Sequence, residues 1–491
     1  MFVTRFAPSP TGFLHLGGLR TALFSYVLAR SRRGKFILRI EDTDSKRTVP
    51  GAAENLASIL NIFGLTYDEG PFIQSQRASI YRQHAEKLLD NDAAYRCFCS
   101  ANTSADTAVK KSGGYDRRCR HISVTTITEN LQKNLPYSIR LKIPEGRTSF
   151  VDLIHAKLEF ANRALDDSIL LKSDGLPTYH LANVVDDKLM GVTHILRGEE
   201  WIPSTPKHVL LYRAFGWEDS MPKFAHVPLL INKNGQKLSK RHSDVNEKGY
   251  LPEALLNFVG MLGFTPPISK EIWLLDDFIE HFNVCHLSKS AAIVSYDQLD
   301  RLNRLHIAHR LKSDSPLREN LVDSIRRDFL SQYNSRIQES IREIIFQNSH
   351  FIAVLLSVLP RITFIHQFPS LIASVYCLPD FSTQESSILK QTVMSAISPA
   401  TSFTEISESN NSVVSCLEAV PETQWTEENL KTKLKEFAKT ITERRIKYGG
   451  LMKFLRFAVT GDKTGDDLTH LMVLLGKNAV IERINICNRN W

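Results

Sequence analysis

Residues 2–40 read FVTRFAPSPTGFLHLGGLRTALFSYVLARSRRGKFILRI, and strand, turn and helix patterns follow one another within them. Residues 2–7 are predicted to form a strand, 8–12 a turn, 19–29 a helix with one apolar face, and 35–40 a second strand. A strand, a crossover helix and a parallel strand make a βαβ unit. The predicted fold class of the N-terminal part is therefore α/β, with a doubly wound parallel sheet.

The composition limits the classes of protein to be considered. The 491 residues suffice for about three domains of ~150 residues. The longest apolar runs, such as residues 351–356, are far shorter than the ~20 residues that span a bilayer. Seven cysteines are too few for a disulfide framework and predict reduced thiols or metal ligands. The net charge of +8 favours a polyanionic partner, although scattered solvated lysines would give the same sum.

The pattern of the sequence changes twice beyond the first βαβ unit. From residue 94 to about 172, short β-type runs and glycine turns predict an inserted α+β module. Beyond about residue 315, apolar residues recur at helical spacing, which predicts an all-helical C-terminal third. The clearest instance is Leu430, Leu434, Phe437 and Ile441, which follow a Thr426 cap.

Two motifs point to nucleotide chemistry. Residues 8–18, PSPTGFLHLGG, lie where the first strand meets the helix, and glycines, a helix N-terminus and the His15 imidazole there suit a phosphate. Residues 237–241, KLSKR, place three cations in one turn, which suits a leaving pyrophosphate. Taken alone, the first motif is more often an ordinary glycine turn, and the second is more often a solvated basic loop. Together, 222 positions apart, they match the signatures of class I aminoacyl-tRNA synthetases.

Four blocks narrow the resemblance to glutamyl-tRNA synthetases. They are residues 5–12 (RFAPSPTG), 39–44 (RIEDTD), 179–187 (YHLANVVDD) and 197–201 (RGEEW). Matching blocks run from residue 5 to about 263, and weaker similarity, including residues 455–461 (LRFAVTG), extends to the end. The sequence is identified as a member of this family, of bacterial or organellar type, and looks most like a fungal mitochondrial form.

The resemblance implies a reaction and a domain order. L-Glutamate and ATP, with Mg²⁺, would give glutamyl-adenylate and pyrophosphate, and a ribose hydroxyl of tRNA(Glu) would then attack the adenylate. A Rossmann-type catalytic domain is expected at residues 1–75 and 173–245, with an inserted acceptor-end-binding module at 76–172. A connector that contacts the tRNA stem is expected at 246–315, and an α-helical anticodon-binding domain at 316–491. A monomer without membrane contact is expected; the oligomeric state and the charging of tRNA(Gln) stay open.

A glutamate substrate carries one ammonium and two carboxylates, so its pocket should supply an acid and a guanidinium. Glu41 is the predicted ammonium partner, and Arg5 and Arg197 are the predicted partners of the side-chain carboxylate, although a single arginine is more often in a surface ion pair. The resemblance adds Ala7, Ser9, Tyr179 and Asn183 to the glutamate site. It assigns to ATP the residues Thr11, His15, Gly17, Glu200, Lys237, Leu238, Ser239, Lys240 and Arg241. Of these, His15, Lys237 and Lys240 are the expected catalytic residues.

A zinc site is predicted inside the inserted module. Cys97 and Cys99 are separated by nineteen residues from Cys119 and His121. Three thiolates and one imidazole make a complete tetrahedral set, and some members of the family have a similar one. The spacing within each pair is tighter than usual, and three unrelated cysteines are an equal alternative.

Other interpretations stay open. Glutaminyl-tRNA synthetases and glutamyl-queuosine tRNA modifiers share the catalytic blocks, but the predicted helical third argues against both. A catalytically silent tRNA-binding paralogue would be expected to lack His15 or Lys240, and both are present. The expected location is the mitochondrial matrix. The bacterial cytoplasm is the alternative, since no targeting extension precedes Arg5.

Overall fold

The computed structural model describes residues 1–11, 14–44, 48–99, 115–236, 249–397, 412–441, 448–462, 465 and 467–490. The chain divides into two compact units, Met1–Leu302 and Asn303–Trp491. The described strands are β1 (Val3–Phe6), β2 (Lys35–Ile40), β3 (Glu69–Ile73), β4 (Ala94–Cys97), β5 (Ser138–Leu141), β6 (Arg147–Asp152), β7 (Ala156–Ala161), β8 (Ile169–Leu171), β9 (His194–Gly198), β10 (Lys223–Val227), β11 (Leu230–Ile231) and β12 (Ala292–Ile293). The described helices are α1 (Leu16–Ser31), α2 (Ala52–Ile62), α3 (Ala78–Asp90), α4 (Val124–Gln132), α5 (Tyr179–Leu189), α6 (Thr205–Ala214), α7 (Pro252–Met261), α8 (Leu275–His281), α9 (Tyr296–Lys312), α10 (Pro316–Tyr333), α11 (Asn348–Val358), α12 (Phe368–Tyr376), α13 (Gln384–Ile397), α14 (Val413–Glu418), α15 (Glu427–Ile441), α16 (Tyr448–Thr460), α17 (Leu468–Leu475) and α18 (Lys477–Arg489).

A seven-stranded sheet organises the first unit. Its order is β3-β2-β1-β9-β10-β6-β7, and all neighbours are parallel except the antiparallel pair β6 and β7. β2 is buried at five of its six positions, as expected for a parallel strand covered on both faces. The predicted doubly wound parallel sheet is confirmed. The strand order reverses between β1 and β9, and ligands of such sheets bind at the carboxyl ends of the strands beside the reversal.

The range predicted as an inserted module, residues 76–172, contributes to two sheets. The short β-type runs predicted there are present as β4, β5 and β8, which form an antiparallel three-stranded sheet. β6 and β7 come from the same range but extend the main sheet, because β6 pairs with β10. The main sheet therefore includes strands from the predicted module.

The second unit is helical, as the sequence predicts. No strand is found among its described residues, and Leu430, Leu434 and Phe437 of α15 are buried on one face. In the described part of the chain, no single helix is long and apolar enough to cross a membrane; the segments Glu339–Phe346 and Asn348–Arg361 pass that test only as a pair bent by 97°.

Candidate functional site

The candidate site lies where β1, β2 and β9 end, beside the reversal of strand order. Arg5 lies in β1, Glu41 directly follows β2, and Arg197 lies near the end of β9. Tyr179 and Asn183 occupy the first two turns of α5. The structure thus brings together residues that are up to 192 positions apart in the sequence.

A buried ionic network holds Arg5 and Glu41. The Arg39 guanidinium donates to Asp187 Oδ1 at 2.7 Å and to Glu41 Oε1 at 3.2 Å, and Arg5 Nε donates to the same Asp187 oxygen at 3.2 Å. Burial opposes the charge of Arg39, but the carboxylates of Asp187, Glu41 and Asp186 together raise its pKa. Both arginines of this network therefore already have anionic partners.

Glu41 and Asn183 form a small cluster of acceptors. Asn183 Nδ2 donates to Glu41 Oε1 at 2.8 Å. Asn183 Oδ1 is buried without a hydrogen-bond partner among the described residues. Burial raises the pKa of Glu41 more than Arg39 and Arg5 lower it. A carboxylate beside an unsatisfied amide oxygen suits a substrate ammonium, which carries three donors.

Arg197 has a different environment, because its partners are all neutral. Its Nε donates to His226 Nε2 at 3.0 Å, its Nη1 to the Tyr179 hydroxyl at 3.0 Å, and its Nη2 to Thr205 Oγ1 at 2.8 Å. Its side chain is 5% exposed. Within the described residues no carboxylate lies in ion-pair distance of it. Burial raises the pKa of Tyr179, so its hydroxyl keeps the proton and can donate while accepting from Arg197.

The loop after β1 and the start of α1 form the neighbouring part of the site. His15 caps α1, and its Nδ1 accepts the Gly18 amide at 3.1 Å. In the neutral ring the proton then lies on Nε2, which is a donor. A Cβ on Gly17 would approach the His15 ring to 3.2 Å, so the glycine keeps this cap compact.

The described residues among the other predicted ATP and glutamate residues differ in their exposure. Ser9 is exposed and its carbonyl accepts the Thr11 amide at 2.8 Å, while Ala7 and Thr11 are partly buried. Glu200 is exposed just after β9, and a side chain on Gly198 would overlap its carboxylate. Lys237, Leu238, Ser239, Lys240 and Arg241 lie outside the described residues.

The structure brings together three of the four predicted zinc ligands. The Sγ atoms of Cys97, Cys99 and Cys119 lie within 4.8 Å of one another, and His121 is exposed and outside this group. The Tyr115 hydroxyl lies 3.2 Å from Cys97 Sγ. Three converging thiols fit a tetrahedral zinc ion. Burial opposes the Cys97 thiolate, but hydrogen bonds from Tyr115 and the Cys99 backbone lower its pKa to about 7.

Sequence reasoning missed several residues that the structure places in the site. Arg39 and Asp187 stand inside the blocks RIEDTD and YHLANVVDD. Their charges, within blocks that resemble the family, were a signal that could have found them. His226, Asp152 and Thr205 stand outside every quoted block. His226 and Asp152 are 74 positions apart, and only the pairing of β10 with β6 makes them neighbours.

Comparisons with known proteins agree with the geometry. Residues 1–301 match the family described as "tRNA synthetases class I (E and Q), catalytic domain", and residues 336–487 match "Anticodon binding domain". The chain is 36% identical over 508 residues to a glutamate–tRNA ligase of Chlorobaculum parvum, which covers 98% of this chain and 96% of that protein.

Two further relatives align over a shorter region. The chain is 46% identical to a mitochondrial glutamate–tRNA ligase of Saccharomyces cerevisiae over 68% of its own length and 66% of that protein. It is 46% identical to a glutamate–tRNA ligase of Treponema denticola over 64% and 65%, respectively. A solved structure, a glutamate tRNA ligase from Elizabethkingia meningosepticum in complex with its amino acid, superposes with a TM-score of 0.82. That chain is 31% identical, and the match covers 99% of both chains.

Proposed function

This chain belongs to the glutamate–tRNA ligase family of class I aminoacyl-tRNA synthetases, and we propose that Arg197 at the end of β9 selects the side-chain carboxylate of L-glutamate for ATP-dependent attachment to tRNA. The observation that carries the proposal is the neutral environment of Arg197. A buried guanidinium without a carboxylate partner is costly, and a substrate carboxylate would compensate its charge. Arg5 is the second carboxylate partner: its Nε donates to Asp187 and its Nη1 to the Leu196 carbonyl at 3.5 Å, and Nη2 would donate to the substrate.

The remaining groups of glutamate have matching partners. Glu41 and the Asn183 amide oxygen bind the ammonium, and Ala7 and Ser9 line the same end of the sheet. The pocket then presents an acid to the ammonium and guanidinium groups to the side chain. Glutamine would leave the Arg197 charge without compensation, which disfavours it as a substrate.

The reaction requires positioning and charge stabilisation rather than a protein nucleophile. The α-carboxylate attacks the α-phosphorus of Mg–ATP, the bond to the β-phosphate oxygen breaks, and pyrophosphate leaves. His15 Nε2 and the Gly17 amide at the start of α1 donate to the phosphates, together with Thr11, and Glu200 contacts the nucleoside. Lys237 and Lys240, flanked by Leu238, Ser239 and Arg241, stabilise the leaving group. The terminal ribose hydroxyl of tRNA(Glu) then attacks the adenylate.

A zinc ion at Cys97, Cys99 and Cys119 is part of the proposal, supported by the convergence of their thiols. Bound there, it would supply a rigid cross-link between the end of β4 and the segment around Cys119. His121 and Tyr115 are the competing fourth ligands.

A mitochondrial location is proposed as well. The similarity to the yeast mitochondrial enzyme and the net charge of +8 support it. Expressing the tagged chain in yeast and fractionating the cells tests this location. Recovery of the protein in the cytosol would contradict it.

The test of the glutamate assignment is Arg197→Ala. We expect the KM for glutamate to rise by a factor that corresponds to about 2–5 kcal/mol, with a far smaller change in the KM for ATP. Arg213→Ala is the matched control, because Arg213 lies on α6 in an exposed pair with Glu218. Equal changes in both constants would refute the assignment.

A further inference from the structure

Arg197 stands at the end of a buried chain of polar groups. Asp152 ends β6 and His226 lies on β10, and both side chains are fully buried. Asp152 Oδ2 contacts His226 Nδ1 at 2.6 Å, and His226 Nε2 accepts the Arg197 Nε–H at 3.0 Å. The order is therefore carboxylate, imidazole, guanidinium.

The hydrogen bonds of Asp152 fix the tautomer of His226. Asp152 Oδ1 accepts the amides of Ile154 and His155, both at 2.9 Å, and Oδ2 also accepts the His226 amide at 3.2 Å. Burial opposes ionisation of Asp152, but the bonds from His226 and His155 lower its pKa, while burial lowers the pKa of His226. An ionised carboxylate only accepts, so Nδ1 carries the imidazole proton and Nε2 presents a lone pair to Arg197.

A second neutral histidine contacts the other side of Arg197. His208 Nδ1 lies 3.4 Å from Arg197 Nη1, and His208 Nε2 lies 3.1 Å from His180 Nδ1. Burial lowers the pKa of His208 well below its usual value. Both imidazoles therefore act as neutral acceptors.

Because its acceptors are neutral, Arg197 keeps a positive charge that a directly bound carboxylate of the protein would compensate. Two parallel hydrogen bonds to a carboxylate of the protein would compete with the substrate carboxylate for the same guanidinium edge. An imidazole lone pair at Nε holds the planar group in one orientation but does not neutralise it. Asp152 does not contact Arg197 directly and acts on it through the His226 ring.

We propose that Asp152 and His226 are a positioning pair that orients Arg197 through the Nδ1–H tautomer while keeping its charge available to the side-chain carboxylate of the substrate. This inference rests on the proposed glutamate-binding role of Arg197. It predicts that changes in the pair affect the KM for glutamate through Arg197 and leave the KM for ATP nearly unchanged.

Three variants test the pair by pyrophosphate exchange in the presence of tRNA. His226→Phe keeps a ring but removes the acceptor, and should raise the KM for glutamate about 10- to 100-fold. His226→Gln can place an amide oxygen near the Nε2 position and should recover much of that loss. Asp152→Asn, with its oxygen held by the Ile154 and His155 amides, would place its NH₂ at Nδ1. The His226 proton should then move to Nε2, against Arg197.

A spectroscopic measurement accompanies the kinetics. ¹⁵N spectra of histidine-labelled full-length protein, with His226 assigned by its loss in His226→Gln, should show protonated Nδ1 in the wild type and protonated Nε2 in Asp152→Asn. This measurement needs only folded protein, so it remains informative if His226→Phe does not fold. An unchanged tautomer in Asp152→Asn, or a wild-type ring protonated at Nε2, would overturn the proposal.

A double-mutant cycle separates this inference from the proposed function. If His226 acts through Arg197, the double variant Arg197→Ala/His226→Phe should have the glutamate KM of Arg197→Ala alone. Additive effects, or equal changes in the KM values for glutamate and ATP, would overturn the positioning role. If Arg197→Ala raises the KM for glutamate and His226→Phe leaves it unchanged, only this inference fails. If Arg197→Ala has no effect on glutamate, the proposed function fails.

Discussion

Single residues of the site differ most in how their charges are compensated. Arg5 and Arg39 share Asp187, whereas Arg197 contacts only neutral groups, so the same residue type has different chemistry within one pocket. Glu41 is the anion at the other end, and burial raises its pKa. A raised pKa in a carboxyl that binds an ammonium makes substrate affinity depend on pH.

The affinity for glutamate should therefore fall as the pH is lowered. Glu41 is protonated at a higher pH than an ordinary glutamate, whose pKa is about 4.3, and the protonated form loses its attraction for the ammonium. We expect the KM for glutamate in the wild type to rise as the pH is lowered from neutrality towards the raised pKa of Glu41. In Glu41→Gln it should be high and nearly independent of pH. A wild-type KM that stays constant over this range would contradict the assignment of Glu41.

At the scale of elements, α1 combines a structural cap with a candidate ligand. The His15 side chain accepts the Gly18 amide, so one ring nitrogen stabilises the helix and the other is a donor.

Two substitutions of His15 separate the capping role from the donor role. His15→Asn should retain the cap and the unfolding temperature but slow adenylate formation, because asparagine caps well and lacks the imidazole donor. His15→Ala should also lose about 1 kcal/mol of stability. Unfolding curves and pyrophosphate exchange measure the two effects, and full exchange activity in His15→Asn would exclude the imidazole as a phosphate donor.

The strand β4 and the segment around Cys119 together carry the proposed zinc site. Purified protein should contain one zinc ion per chain by elemental analysis, and Cys97→Ser/Cys119→Ser should contain none and unfold at a lower temperature. His121→Ala distinguishes the two candidate fourth ligands: because the His121 ring lies outside the thiol cluster, we expect the metal to be retained, which would favour Tyr115. Cys285→Ser is the control, since Cys285 is exposed and in another region. Metal-free, fully active wild-type protein would contradict the zinc proposal.

At the scale of the whole molecule, two compact units match two family regions with different tasks. A chain that ends at Ser315 would keep α9 whole together with every described site residue. It should lose the ability to distinguish tRNAs with native and altered anticodons, and its tRNA affinity should depend less steeply on salt because phosphate contacts are removed. Charging assays over a range of salt concentrations, with the full-length enzyme in parallel, measure both effects. A truncated enzyme that still discriminates anticodons would assign another role to the helical unit.

The sequence was sufficient for features that depend on neighbouring residues or on recognisable blocks. Residues 35–40, KFILRI, include four apolar residues between a polar turn and an acidic segment, and they form β2 with the predicted bounds. The strand Val3–Phe6, the helix Leu16–Ser31 and the apolar face of α15 have the same local origin. The blocks also contained most of the candidate site, because Arg5, Glu41, Tyr179, Asn183 and Arg197 all stand inside them.

Features that depend on distant pairing could be obtained only from the folded chain. β6 and β7 join the main sheet because β6 pairs with β10, and nothing in their own residues distinguishes them from the strands of the smaller sheet. That pairing places Asp152 against His226, and the neighbouring β9 carries Arg197 to the same imidazole. Hydrogen bonds between side chains 29 and 74 positions apart leave no periodicity in the sequence, since they depend on strand order in space. The hydrogen bonds that surround His226 and Arg197 are therefore a property of the tertiary structure.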